Sequence, residues 1–261
     1  MSNSGMPRFA NLRVIVALML REMTTRYGKS AGGYFWAFAE PLGMIAILSV
    51  VFGFMLRSPS LGTVFPLFFA TGHLTFGFWA DMSAFSASAI NTNKSLLTYP
   101  RVTPMDAIIA RCLLQFATLV IVAFLILSGI ILAYDIDTIY DFRSMIKGVL
   151  LNTLLGMGTG VMNAYIFSVI PTYKNVWKII TRPLFLISGI FFIMEDLPRA
   201  GQEVLWWNPI IHSTALMRKG FYPSYEATFV TELYPFTLGI LLLALGLFLI
   251  HRNRTALVEE Q

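Results

Sequence analysis

Arg21-Glu22-Met23-Thr24-Thr25-Arg26-Tyr27-Gly28-Lys29-Ser30 runs without a break into Ala31-Gly32-Gly33-Tyr34-Phe35-Trp36-Ala37-Phe38-Ala39-Glu40-Pro41. A compact basic segment is followed at once by an apolar, aromatic one. Cations are retained on the cytoplasmic side of a bilayer. The junction therefore reads as a charged helix end at the cytoplasmic face and the start of a membrane crossing, with Glu40 and Pro41 already inside it.

The rest of the chain agrees. Hydrophobic residues make up 56% of the 261 residues and charged ones only 13%, with a mean hydropathy of +0.69, whereas soluble domains carry about 25% charge. This is the composition of an integral membrane protein. A hydrocarbon core about 30 Å thick needs roughly 20 apolar residues per helix, and six windows qualify, at about 34–56, 61–90, 107–133, 148–170, 176–194 and 233–250. The fifth is the weakest, because Lys178, Arg182 and Pro183 interrupt it, although long cations can snorkel to the interface. No alternating pattern of barrel strands is present, so the expected fold is an all-α six-transmembrane-helix bundle. Residues 1–33 form a cytoplasmic N-terminal region, 34–252 a single transmembrane domain and 253–261 a short cytoplasmic tail.

With the N-terminus inside, thirteen of the nineteen Lys and Arg residues fall on the cytoplasmic face. Both termini are therefore expected there. The same rule explains the pI of about 9.4, so no nucleic-acid partner is needed. Val14–Leu20 is too short for a signal peptide and lacks a small-residue cleavage site. The single Cys112 lies in a membrane window and reads as a small buried apolar residue.

Before the first crossing, Leu12, Ile15, Val16, Met19, Leu20 and Met23 recur at helical spacing, with Arg13, Arg21, Glu22 and Thr25 on the other arc. This describes an amphipathic interfacial helix on the cytoplasmic leaflet. Val14, Ala17 and Leu18 interrupt the polar arc, so part of that face is expected to pack on protein. Between the second and third crossings, residues 91–104 are more apolar than solvent exposure selects. Asn93 or Ser95 can cap a short helix ending before Pro100, which would carry Leu96, Leu97 and Tyr99 into the cytoplasm in need of a partner surface. On the opposite face the segment 195–232 contains the apolar run Val204–Met217, too short and interrupted to cross. It reads as a pair of short re-entrant or interface-lying helices.

Gly28-Lys29-Ser30 resembles the end of a phosphate-binding loop, but the position five before Gly28 is Met23 and no strand precedes it. No other nucleotide site is present, so the chain does not hydrolyse ATP alone. His73, His212 and His251 show neither metal-ligand spacing nor a neighbouring nucleophile, which argues against a metal centre and against an intramembrane enzyme. Charges at membrane depth are functional suspects by default. Glu40 and Asp81 either face a hydrated conduit or pair with Arg111. A proton-coupled secondary transporter would use such carboxylates, yet no convincing internal repeat supports that class. Gly156-Met157-Gly158-Thr159-Gly160 offers a small-xxx-small spacing for close helix contact. Tyr34, Phe35 and Trp36 suit an aromatic belt, and also a path for sugars, whose C–H faces pack on aromatic rings.

Three motifs together resemble a known family. Arg21-Glu22…Thr25-Arg26-Tyr27…Ser30…Gly33…Trp36-Ala37…Pro41 is similar to the opening signature of ABC-2 type permeases that export polysaccharides. Asn91…Asn93-Lys94…Leu97…Tyr99-Pro100-Arg101…Pro104 resembles their cytoplasmic coupling segment in its capsular-polysaccharide form. Trp207-Asn208-Pro209-Ile210…His212…Arg218…Phe221-Tyr222 is similar to their segment before the last crossing. One departure is Ala31-Gly32-Gly33, where many relatives carry a bulkier residue before the glycine.

The resemblance implies a bacterial inner-membrane permease working as a homodimer with two copies of a separate ATP-binding subunit. That subunit would bind ATP and Mg, so no cofactor is expected in this chain. The substrate would be a lipid-linked capsular polysaccharide, with O-antigen or teichoic-acid export as the alternative. Asn93, Lys94, Leu96, Leu97, Tyr99, Pro100 and Arg101 would couple to the ATPase. Arg21, Arg26, Tyr27 and Lys29 would gate substrate uptake, and Tyr34, Trp36, Glu40 and Asp81 would lie near the path. Trp206, Trp207, Asn208 and Pro209 would form the periplasmic segment, where a periplasmic co-polymerase or adaptor could be met.

Overall fold

Helix starts in this chain are marked by short side chains that take up the free backbone N–H groups of the first turn. A computed structural model describes residues 10–27, 32–93 and 102–253, and the described residues contain helices and turns but no strand. The helices are α1 (Ala10–Tyr27), α2 (Gly33–Met55), α3 (Phe65–Ala87), α4 (Ala89–Thr92), α5 (Pro104–Ala133), α6 (Phe142–Val169), α7 (Tyr173–Ile187), α8 (Arg199–Leu205), α9 (Pro209–Phe221) and α10 (Leu233–Arg252).

Four of these, α2, α5, α6 and α10, are long and apolar enough to cross a membrane. α2 starts on Gly32, whose φ of 84° is the left-handed conformation that favours glycine. α5 starts three residues before its apolar window. Thr103 and Asp106 form a reciprocal capping box there, the Asp106 amide donating to Thr103 Oγ1 at 3.2 Å and the Thr103 amide to Asp106 Oδ2 at 3.0 Å. α6 starts at Phe142 rather than near residue 148, because Asp141 caps the amides of Arg143 and Ser144 at 3.0 and 3.2 Å. The Ser144 hydroxyl, followed by these amides, holds the Asp141 carboxyl below the usual carboxylate range.

α3 matches α2 in length but is less apolar, and the reason is its position. Fifteen of its 23 residues are buried, against α2, α5, α6 and α9, whereas α2 buries only Ile45 and Leu48. A helix surrounded by protein can carry Thr71, His73, Thr75, Ser83 and Ser86. One surrounded by lipid needs an apolar surface. α6 packs on α3 and α10 through glycines: an added Cβ at Gly160 would lie 2.6 Å from Ser83 O, and one at Gly158 2.6 Å from Gly239 O. The small-residue spacing read in the sequence thus brings backbones together on both sides of α6. Asn152 of α6 adds a hydrogen bond to Thr75 O of α3, at 2.7 Å.

α1 lies against α5. Leu18 and Glu22 are buried in that contact, while Leu12, Val16 and Leu20 stay exposed on the outer side. The interruption at Leu18 is therefore where α1 meets protein.

The fifth window differs from its expectation. A helix through residues 176–194 is replaced by α7, 15 residues long and without one buried residue, followed by irregular backbone that includes Gly189 at φ 76°. The cause lies in α9. Arg218, 2% exposed, donates from Nη1 to Phe192 O at 2.6 Å and from Nη2 to Ile190 O at 2.9 Å. Its guanidinium also sits 4.0 Å from the centroid of the Phe68 ring. Gly72 leaves room, since an added Cβ would lie 3.0 Å from Ile190 Cα. Asn208 joins the same region. Its Oδ1 accepts from the Ile210 amide, capping α9, and its Nδ2 donates to Ile187 O and Ser188 Oγ, both at 3.1 Å.

Arg218→Met should leave the buried Ile190 carbonyl and the part-buried Phe192 carbonyl unpaired and lower unfolding stability in detergent by roughly 2–6 kcal/mol, each unmet group costing about 1–3 kcal/mol. Arg218→Lys should restore less than half of the loss, because an ammonium cannot span both carbonyls while resting flat on Phe68. Thermal melts of the purified protein read both values.

Candidate functional site

Two neighbouring cavities face one side of α3. The first is a groove of about 510 Å³ between α3 and α7, closed at one end by Phe167 of α6. Its α3 wall starts at the rings of Phe76 and Trp79, continues through the small side chains of Ala80, Ser83, Ala84, Ala87 and Ser88, and reaches Asn91 beyond the helix. Its α7 wall carries Lys174, Lys178 and Arg182 at spacings of four, interleaved with Trp177, Thr181 and Phe185. Residues four apart share one helical face. Three cations and two aromatic rings therefore line one stripe. Lys174 Nζ also lies 5.9 Å from the centroid of the Phe167 ring. The opposite side of α7 presents Val176, Ile179, Ile180, Leu186 and Ile187, each at least 36% exposed.

The second cavity, of about 290 Å³, adjoins the first and shares Phe76, Ala80 and Phe185 with it. It is more polar. Glu40 of α2, His73 and Asp81 of α3, and Gln115 and Thr118 of α5 line it. Glu40 and Asp81 are both exposed, and the His73 ring sits edge-on to Phe185 at 6.0 Å. The two carboxylates singled out in the sequence are thus brought to one cleft. Arg111 forms an ion pair with Glu22 of α1, at 3.2 Å.

The other sequence candidates are distributed differently. Trp36 and Tyr34 lie on the outer side of α2, 62% and 48% exposed, and are not among the described residues lining either cavity. Arg21 donates to Asn93 Oδ1 at 3.0 Å, and Asn93 is buried. Arg26 and Tyr27 belong to α1, but their side chains are outside the described residues. Lys29, Lys94, Leu96, Leu97, Tyr99, Pro100 and Arg101 also lie outside them.

Trp206, Trp207, Asn208 and Pro209 join α8 to α9. Trp206 Nε1 donates to Phe229 O at 3.2 Å and its ring stacks on Tyr234, while Trp207 is largely exposed. Pro209 occupies the first turn of α9. His212 ties the same corner: the Thr231 amide donates to its Nδ1 at 3.3 Å and Nε2 lies 2.8 Å from Trp206 O. Nδ1 accepts, so Nε2 is the protonated nitrogen. This pairing makes His212 a rivet between α9 and the chain before α10.

Trp177 was missed in the sequence, Lys174 was read only as one of the cytoplasmic cations, and Lys178 and Arg182 were read as such cations and as interruptions of a crossing. The four-residue spacing of the cations was the available signal, since lipid-facing helices do not carry a charged stripe along two turns.

The comparisons with known proteins agree with one another. The ABC-2 type transporter family profile matches residues 13–222. The polysialic acid transport protein KpsM of Escherichia coli is 33% identical over 236 residues, 90% of this chain and 92% of that protein. The capsule polysaccharide export inner-membrane protein BexB of Haemophilus influenzae is 30% identical over 250 residues, covering 95% and 94%. CtrC of Neisseria meningitidis, with the same description, is 29% identical over 240 residues, covering 92% and 91%.

The two sides of α7 should differ in reactivity. In a Cys112→Ala background, Thr181→Cys should react with a charged thiol reagent in intact membranes about tenfold faster than Ile180→Cys, because thiolate forms only where water reaches. Equal rates would mean that the groove is dry.

Proposed function

The chain belongs to the ABC-2 type transporter family, and from that premise we propose that it is the membrane subunit through which a lipid-linked, acidic capsular polysaccharide leaves the cytoplasm. The observation that carries this reading is the α3–α7 groove, where Lys174, Lys178 and Arg182 share a stripe with Trp177 and Phe185. Lys and Arg recognise phosphate and carboxylate by charge-assisted hydrogen bonds. Aromatic faces accept the apolar side of a sugar ring and tolerate sliding. The relatives named for polysialic acid transport and for capsule polysaccharide export support the same substrate class, and O-antigen or teichoic-acid export has no such support.

On this reading the membrane is crossed six times. α2, α3, α5, α6 and α10 supply five crossings. α7 is about 22 Å long at 1.5 Å per residue, so it reaches through most of the bilayer and residues 188–193 complete the sixth. α8 and α9 form the re-entrant pair, their irregular connections sheltered by protein as membrane depth requires. Both termini face the cytoplasm of a bacterial inner membrane. Residues 1–33 lie on the cytoplasmic leaflet, 34–252 form one transmembrane domain and 253–261 the tail. The outer sides of α2 and α7 carry exposed Ile47, Val50, Val51, Val176, Ile179 and Ile180. A second copy would cover these and close the two grooves into a conduit. Free energy comes from a separate subunit that binds ATP and Mg and docks on α1 and the 94–101 segment, and 195–232 is the surface for a periplasmic adaptor.

Lys174→Gln, Lys178→Gln and Arg182→Gln together should cut surface polysaccharide about ten- to hundredfold with the protein still in the membrane, since each partly exposed contact is worth up to about 1 kcal/mol. Any one of these changes alone should have a much smaller effect. Export that persists in the triple variant would show that the groove does not carry the anion.

A further inference from the structure

Glu22 and Arg111 form a buried ion pair between α1 and α5, their side chains 12% and 7% exposed. Arg111 does more than neutralise Glu22. Its Nη1 donates to Ser88 O at 3.1 Å, and its guanidinium lies 5.3 Å from the centroid of the Phe85 ring. Ser88 is the residue at which α3 ends and α4 begins. One position before Glu22, Arg21 donates to Asn93 Oδ1, and Asn93 Nδ2 donates to Ala89 O at 3.0 Å. Two consecutive residues of α1 therefore hold the two ends of α4, Glu22 through Arg111 and Arg21 directly.

Apolar packing alone would keep α1 on α5, and Leu18 already provides some. An ion pair in that position adds little net stability, because desolvation of both charges offsets their attraction. What it adds is direction. An apolar seam can slide by a fraction of a turn, whereas a guanidinium shared between a carboxylate and one carbonyl fixes the register of three elements. The joint sits where α3 leaves the groove, since Ala84, Ala87 and Ser88 all line that cavity.

We infer that Glu22, Arg111 and the Ser88 carbonyl form the transmission joint that carries movement of α1 into α3, with Arg111 a positioning residue for transport. This rests on the reading that a separate ATPase drives the chain. A push on α1, or on the segment following Asn93, reaches Ser88 without passing through apolar contacts that can slip. α3 then shifts the groove wall facing Lys174, Lys178 and Arg182.

The test uses the full chain co-expressed with its ATP-binding subunit, reading complex yield, ATP hydrolysis and export. Glu22→Gln with Arg111→Met removes both charges, the amide keeping the shape of Glu22 and Met following the stem of Arg111, and a purely structural pair tolerates replacement by uncharged side chains. The expected result is a normal yield of complex and ATP hydrolysis close to wild type, with export per ATP reduced about tenfold, within the usual range of coupling between sites. Wild-type export per ATP in this variant would overturn the inference. If the double variant yields no complex, Arg111→Lys decides by the same ratio, because a lysine keeps the charge beside Glu22 but cannot also hold the Ser88 carbonyl. An unchanged ratio there overturns the inference, and a lowered one supports it. A wild-type chain that neither binds the ATPase nor exports would instead defeat the functional reading itself.

Discussion

The buried guanidinium of Arg218 is the constraint on which the half of the bundle remote from α1 depends. A helix that stops inside an apolar surround leaves carbonyl oxygens with no water to bind. The irregular backbone that follows α7 has the same need, and Arg218 meets two of its carbonyls, Ile190 O and Phe192 O, from another element. Its charge is offset in turn by the face of Phe68. Because Arg218 satisfies that segment and Asn208 donates to Ile187 O at the helix end, α7 can terminate at Ile187 and α9 can sit among α3 and α6 with nearly every residue buried.

The parts of this fold that were legible in sequence are those whose surroundings are lipid. α2 and α10 follow their apolar windows almost to the residue, since lipid demands apolarity along the whole exposed surface. Where protein is the surround, the demand lapses and the signal weakens. α3 shows this in its polar residues, and α6 in a start six residues early at the Asp141 cap. The end of α7 was illegible for another reason: the irregular backbone that replaces the helix has its Ile190 carbonyl satisfied by a residue 28 positions on, and no local pattern encodes that distance. Glu40 and Asp81 were legible as unusual charges, and both line one cleft. Lys178 and Arg182 were visible as charges but were read one at a time. Their meaning lay in a common stripe with Lys174.

The order of charge along the proposed path has its own logic. The cationic stripe of α7 lines one cavity, and the cleft with Glu40 and Asp81 adjoins it. An acidic chain would be drawn into the first and repelled by the second unless it moved on. Passage through a membrane requires binding that is favourable enough to admit and weak enough to release. Attraction and repulsion in adjoining cavities meet both conditions with fixed side chains.

The glycines of α6 have a mechanical consequence. Gly160 brings α6 against the backbone of α3, Gly158 brings it against α10, and Gly148 does the same for α9. Contacts between backbones leave no side-chain layer to rearrange, so these four helices shift together or not at all. α7 and the outer side of α2, with few buried residues, have no such restraint. The bundle therefore divides into a block built on glycine, in which α3 carries α6, α9 and α10 with it, and a pair of peripheral helices, α2 and α7, past which that block can shift as one body.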